Sequence, residues 1–131
     1  MKKTHLIMFI MVIIVLFCGC QKSYEYGFEQ PIEQVEHIFI VLEENGVERR
    51  VECSDEILTD IQMLPCRKYW NDPPNMITAP YVLIIYKNGG VEEISAGSNC
   101  YEIDGKVDFD WEYFDSDEFL KVLQKYQSPN I

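Results

Sequence analysis

"VEHIFIVLEENGVERRVEC", residues 35–53, is the stretch that decides the fold. At its centre stands Asn45-Gly46, the pair most favoured in two-residue hairpin loops because both turn positions want positive φ. Such a loop sets Glu44 opposite Val47, Leu42 opposite Arg49, Ile40 opposite Val51 and Ile38 opposite Cys53. One face then collects Ile38, Ile40, Leu42, Val47, Val51 and Cys53. The other collects His37, Phe39, Val41 and Glu43 with Glu48, Arg50 and Glu52. Turn chemistry and apolar pattern agree on one register, which predicts an antiparallel hairpin.

Downstream, Ser54 reads as an N-cap with Asp55 and Glu56 in the first turn of a helix. Ile57, Ile61 and Leu64 follow at helical spacing until Pro65 stops the run. "CRKYWNDPPNMITAP" has no period and reads as a long loop. "YVLIIYKNGGVEEIS" predicts a second hairpin, turning at Asn88-Gly89 or Gly89-Gly90, with a first arm apolar on both faces and therefore central. In "CYEIDGKVDFDWEYF" the apolar positions 101, 103, 107, 109 and 111 are all odd. They share one face only if the loop is of odd length, so the expected loop is Ile103-Asp104-Gly105, with Gly105 left-handed and Tyr101 facing Val107. Asp115 and Glu118 form a capping-box pair ahead of a terminal helix with Phe119, Leu120, Leu123 and Tyr126 as its buried stripe.

The expected class is α+β: an antiparallel sheet of about six strands in three hairpins, two helices on one face, in the order β-β-α-β-β-β-β-α. That order resembles the small exported α+β modules of the cystatin-like and TATA-box-binding-like kinds, which host many unrelated roles. With 131 residues, 47% of them apolar, the chain suffices for one domain with a real core.

The first twenty residues have another character. "MKKTHL" carries two lysines, "IMFIMVIIVLF" is uninterrupted apolar chain, and "CGC" closes it. This is the pattern of a secretory signal, and the run is short for a span, which needs about 20 residues. "FCGC" resembles the lipobox of bacterial lipoprotein signal peptides. The resemblance implies cleavage after Gly19, a diacylglycerol thioether on Cys20, and often acylation of the new amino group. The expected division is 1–19 signal peptide, 20–34 lipidated cysteine and tether ("QKSYEYGFEQPIEQ" from Gln21), and 35–131 one α+β domain. The expected location is the outer, extracytoplasmic face of the cell membrane. Acyl chains, at about 0.8 kcal/mol per buried CH₂, would hold the domain there.

Formal net charge is −11; removal of Lys2 and Lys3 leaves nine cationic side chains against 22 acidic, net −13. A body that acidic repels phosphate backbones, which argues against nucleic-acid binding. No nucleophile elbow, phosphate loop or Cys-x-x-Cys pair occurs. Beyond the signal segment His37 is the one histidine, too few for both a metal cluster and a general base. No cofactor is expected. Asp108, Asp110 and Glu112 alternate along one strand face and offer hard oxygen ligands for Ca²⁺, but they lack a converging second element. Cys53, Cys66 and Cys100 are odd in number. Ten helical residues, about 15 Å, separate the first two, whereas disulfide Cα atoms lie roughly 4.4–6.8 Å apart. Cys100 therefore pairs with Cys53 or Cys66, or all three are free thiols.

Tyr69, Trp70, Trp111, Tyr113 and Phe114 could form an aromatic platform. Of these, Tyr69 and Trp70 open the proline-rich loop beside the basic pair Arg67 and Lys68. Arg67, Lys68, Tyr69 and Trp70 are thus the expected contact residues for a protein or cell-wall partner. The function expected is a non-enzymatic, membrane-anchored binding module. The alternatives are a cell-wall or carbohydrate hydrolase using acidic residues and an acidic inhibitor or immunity-like protein.

Overall fold

A computed structural model describes residues 22–71 and 74–127, so Cys20 and the signal segment lie outside the described residues. After a short 3₁₀ turn at Ile32–Gln34 come β1 (Val35–Glu44), β2 (Val47–Glu52), α1 (Glu56–Gln62) and β3 (Cys66–Lys68). There follow β4 (Tyr81–Tyr86), β5 (Val91–Ile94), β6 (Asn99–Ile103), β7 (Lys106–Asp110), β8 (Glu112–Phe114) and α2 (Ser116–Gln127). The main sheet runs β2-β1-β4-β5-β6-β7, every neighbour antiparallel, and β3 pairs with β8 in a second, two-stranded sheet. The class is α+β, with both helices on one face. Ile57 and Ile61 of α1 and Phe119 and Leu123 of α2 close over Ile38, Ile40, Val82, Ile84 and Ile94. On the other face Val41, Tyr81 and Leu83 form a smaller cluster, covered in part by Ile77 and Ala79. β4 is therefore central and covered on both sides.

The first hairpin has the register its turn demands, with Glu44 opposite Val47 and Ile40 opposite Val51. Asn45 and Gly46 take φ of 54° and 78°. The other two hairpins exchange the loop lengths expected of them. Asp104 and Gly105, at φ 53° and 78°, make a two-residue turn, and Tyr101 faces Asp108 rather than Val107. Val107 and Trp111, 48% and 46% exposed, simply do not join the helix-side core, so the parity argument that required an odd loop lapses. The odd loop is at the second hairpin. There Tyr86 N–H donates to Gly90 O (2.8 Å) and Gly89 sits at φ 89°. This places Val82 opposite Ile94 and Ile84 opposite Glu92. Ile94 is kept under the helices, and Glu92, two residues earlier in the strand, goes into the core with it.

Three smaller readings change. α1 begins without a side-chain cap: the chain is already helical at Asp55, and Ser54 contributes only its carbonyl, to Ile57 N–H at 3.3 Å. Arg67 and Lys68 belong to β3 rather than to the loop. From Tyr24 onward the stretch read as a tether is part of the folded body. Tyr24 bridges Cys66 through two backbone bonds (2.9 and 3.0 Å), and Tyr26 is 1% exposed. Half of the capping box of α2 is made, Asp115 Oδ1 accepting from Glu118 N–H at 3.0 Å.

Candidate functional site

Residues 24–34 lie as a strap across the helix side of the sheet, and their anchor is the carboxylate of Glu92. That carboxylate has no exposed surface. Tyr26 OH donates to its Oε2 at 2.5 Å, while Tyr86 OH (2.5 Å) and Glu29 N–H (3.0 Å) donate to Oε1. Asn99 Nδ2 donates in turn to the Tyr26 hydroxyl and to Asp110 Oδ2, both at 3.1 Å. Further along the strap, Gln30 Nε2 reaches Tyr101 OH (2.6 Å) and Asn88 Oδ1 (2.9 Å). Burial lifts Glu92 above the ordinary carboxylate range despite its donors, and burial together with the Glu92 charge pushes the Tyr26 and Tyr86 phenols up. Three donors leave neither oxygen of this carboxylate without a partner. Its chemistry is to hold the strap.

Beside it, burial first and then the Asp110 carboxyl raise Glu29 to about 7. The two groups come from different parts of the chain, the strap and the end of β7.

The second region is the small sheet. Arg67 pairs across with Tyr113 and Lys68 with Glu112, and Tyr69 N–H continues the line by donating to Trp111 O at 2.9 Å. Tyr69 is held: its ring lies 4.6 Å from that of Tyr113, and its hydroxyl donates to Gly97 O. Trp70, the next residue, is 86% exposed. Of the four expected contact residues, Lys68 and Trp70 are exposed, Arg67 is half-buried and Tyr69 is packed. A groove of about 430 Å³ runs alongside, lined by Tyr24, Gly27, Lys68, Asp110, Trp111 and Glu112. A larger groove, about 560 Å³, opens between the strap and α1 among Phe28, Pro31, Ile32, Val35 and Leu58.

The calcium candidate does not assemble. β7 ends at Asp110, Glu112 belongs to the other sheet beside Cys66 Sγ (3.5 Å), and Asp110 is engaged by Asn99. Among the described residues, no three His, Cys, Asp or Glu side chains are placed to hold an ion. His37 is paired through Nδ1 to Glu52 Oε1 at 3.1 Å on the exposed face of the first hairpin. Cys53, Cys66 and Cys100 are free thiols. Burial is the main cause that raises them, to about 11, 12 and 12 respectively.

Sequence reasoning missed Glu92, Tyr26 and Asn99. The alternation of Tyr24, Tyr26 and Phe28 was the available signal for the strap, because period two marks extended chain with one buried side. No helix among the described residues is long and apolar enough to cross a membrane. Neither a family model, nor a curated protein, nor a solved structure matches this chain.

Proposed function

We propose that this chain is an extracytoplasmic lipoprotein, anchored to the outer face of a bacterial membrane through Cys20, whose domain is a non-enzymatic binding module for a protein or cell-wall partner. The observation that supports the module reading is Trp70. A tryptophan left 86% exposed, at the end of a strand whose next-door tyrosine is pinned, buries nothing for the fold itself. Such rigid amphipathic side chains dominate binding energy where they occur at interfaces. Lys68 and Arg67 beside it are rare cations on an acidic body. The test compares capture of wall and membrane components by the wild-type chain and by Trp70→Ala. Lost capture with an unchanged melting temperature supports the contact role, whereas unchanged capture overturns it. A Cys20→Ala chain that stays fully in the membrane fraction overturns the anchor.

One observation favours a second reading, a hydrolase acting on wall or sugar polymers. Glu29, raised to about 7 beside Asp110, would supply an acid and a carboxylate from two elements. Glu29→Gln abolishes turnover of a wall polysaccharide on that reading and leaves partner capture intact on the first.

A further inference from the structure

Among the described residues the main sheet has two edge strands, β2 and β7. In an antiparallel hairpin with a two-residue loop, the residues flanking the turn exchange hydrogen bonds, and so does every second pair beyond them. The residues between point their N–H and C=O away from the hairpin partner, toward the open edge. For β2 the outward-bonding positions are Glu48, Arg50 and Glu52, all charged, which is how natural edges are kept from pairing. For β7 they are Val107 and Phe109. Val107 is 48% exposed, and the backbone bonds made between elements include none to either residue among those described. The outward-bonding positions are thus charged on β2 and apolar on β7, where the charges sit at the positions between.

The faces of β7 then select what fits. A strand laid along it sets its own alternate side chains beside Val107 and Phe109 on one face, and beside Asp108 and Asp110 on the strap side. Just past the end of the strand lies the groove holding Asp110, Trp111 and Glu112. Lys106 is the one cation on the strand. A second copy of this chain, added antiparallel along β7, would bring Asp108 and Asp110 against their own kind.

We propose that the β7 edge receives, as a seventh strand, an extended segment of another protein in which apolar and basic residues alternate. The main-chain bonds of Val107 and Phe109 give affinity, and the two faces of the added strand give register and specificity. This names the partner chemistry for the binding-module reading and rests on that reading.

The probe is a fluorescein-labelled (Lys-Val)₄ peptide, titrated against the full chain in non-ionic detergent with a micelle blank and read by anisotropy. Binding is expected, at least tenfold tighter than for (Glu-Val)₄. N-methylation of the valines, which face Val107 and Phe109 and would donate to the edge, weakens it at least tenfold; N-methylation of the lysines changes it far less. Val107→Pro removes only an outward N–H and so costs the sheet no internal bond. It too weakens binding at least tenfold at an unchanged melting temperature. Should Val107→Pro melt early, Val107→Lys, which copies the charged pattern of β2, gives the same loss. No binding at millimolar peptide, equal binding by the valine-methylated peptide, or undiminished binding by both Val107 variants overturns the proposal. The binding-module reading is tested separately, by capture with Trp70→Ala, and can survive any of those failures.

Discussion

Tyr26→Phe tests whether the strap is held by the buried Glu92 carboxylate. The substitution keeps the ring, which packs 5.1 Å from Phe28 and 5.6 Å from Phe114, and removes only the hydroxyl. Glu92 Oε2 then has no donor, and one of the two bonds made by Asn99 Nδ2 is lost. Hydrogen bonds to charged groups are worth about 1.5–3 kcal/mol, and an unsatisfied buried partner adds to that. The expected loss is about 2–4 kcal/mol, or about 8–16 °C at roughly 4 °C per kcal/mol for a domain of this size. The loss also depends on pH. Burial holds Glu92 above its unfolded value, so the folded chain keeps this proton to a higher pH than the unfolded chain. The stability tied to that proton is complete below about pH 4.3, the unfolded glutamate value, and is lost as pH rises toward the folded value. The Tyr26 bond acts against this rise, and its removal lifts Glu92 further, so the penalty of Tyr26→Phe is larger at pH 8 than at pH 5. Urea unfolding at the two pH values measures it. A loss below about 0.5 kcal/mol at both, typical of surface changes, or a larger loss at pH 5, refutes the reasoning.

Two further outcomes are expected. Gly105→Ala forces an alanine to φ 78° with no atom within 4 Å to clash, so the loss is conformational strain alone, about 1–2 kcal/mol. Gly27→Ala, equally open but without a positive φ, changes stability by less than about 0.5 kcal/mol, and equal effects in melting experiments would rule out the turn assignment. With their thiols raised to about 11–12, Cys53, Cys66 and Cys100 are almost wholly protonated at pH 8. Alkylation mapped by mass spectrometry runs at least about 100-fold slower at these three in the folded chain than in urea; rapid labelling of any one shows that its burial is wrong.

The first hairpin was legible because its turn pair and its two apolar patterns lie within nineteen consecutive residues and answer the same local question. The capping of α2 by Asp115 was legible for the same reason: an N-cap concerns three or four neighbours. The calcium row failed as a site because alternation fixes a face but not the end of a strand, and β7 ends between Asp110 and Glu112. Loop parity in the second and third hairpins was not local. Asp104-Gly105 and Asn88-Gly89 are both acceptable turns, and what chose between even and odd loops was the packing of Ile94 against Val82 under the helices, with Val107 left outside. That choice carried Glu92 into the core, where one of the two tyrosines that satisfy it comes from 66 residues earlier in the chain. Periodicity reports which face a residue occupies relative to its neighbours. Whether a distant strap arrives to cover that face, and brings the donors a buried carboxylate requires, is decided only by tertiary structure, because hydrogen bonds and desolvation act between groups that are close in space whatever their separation in sequence.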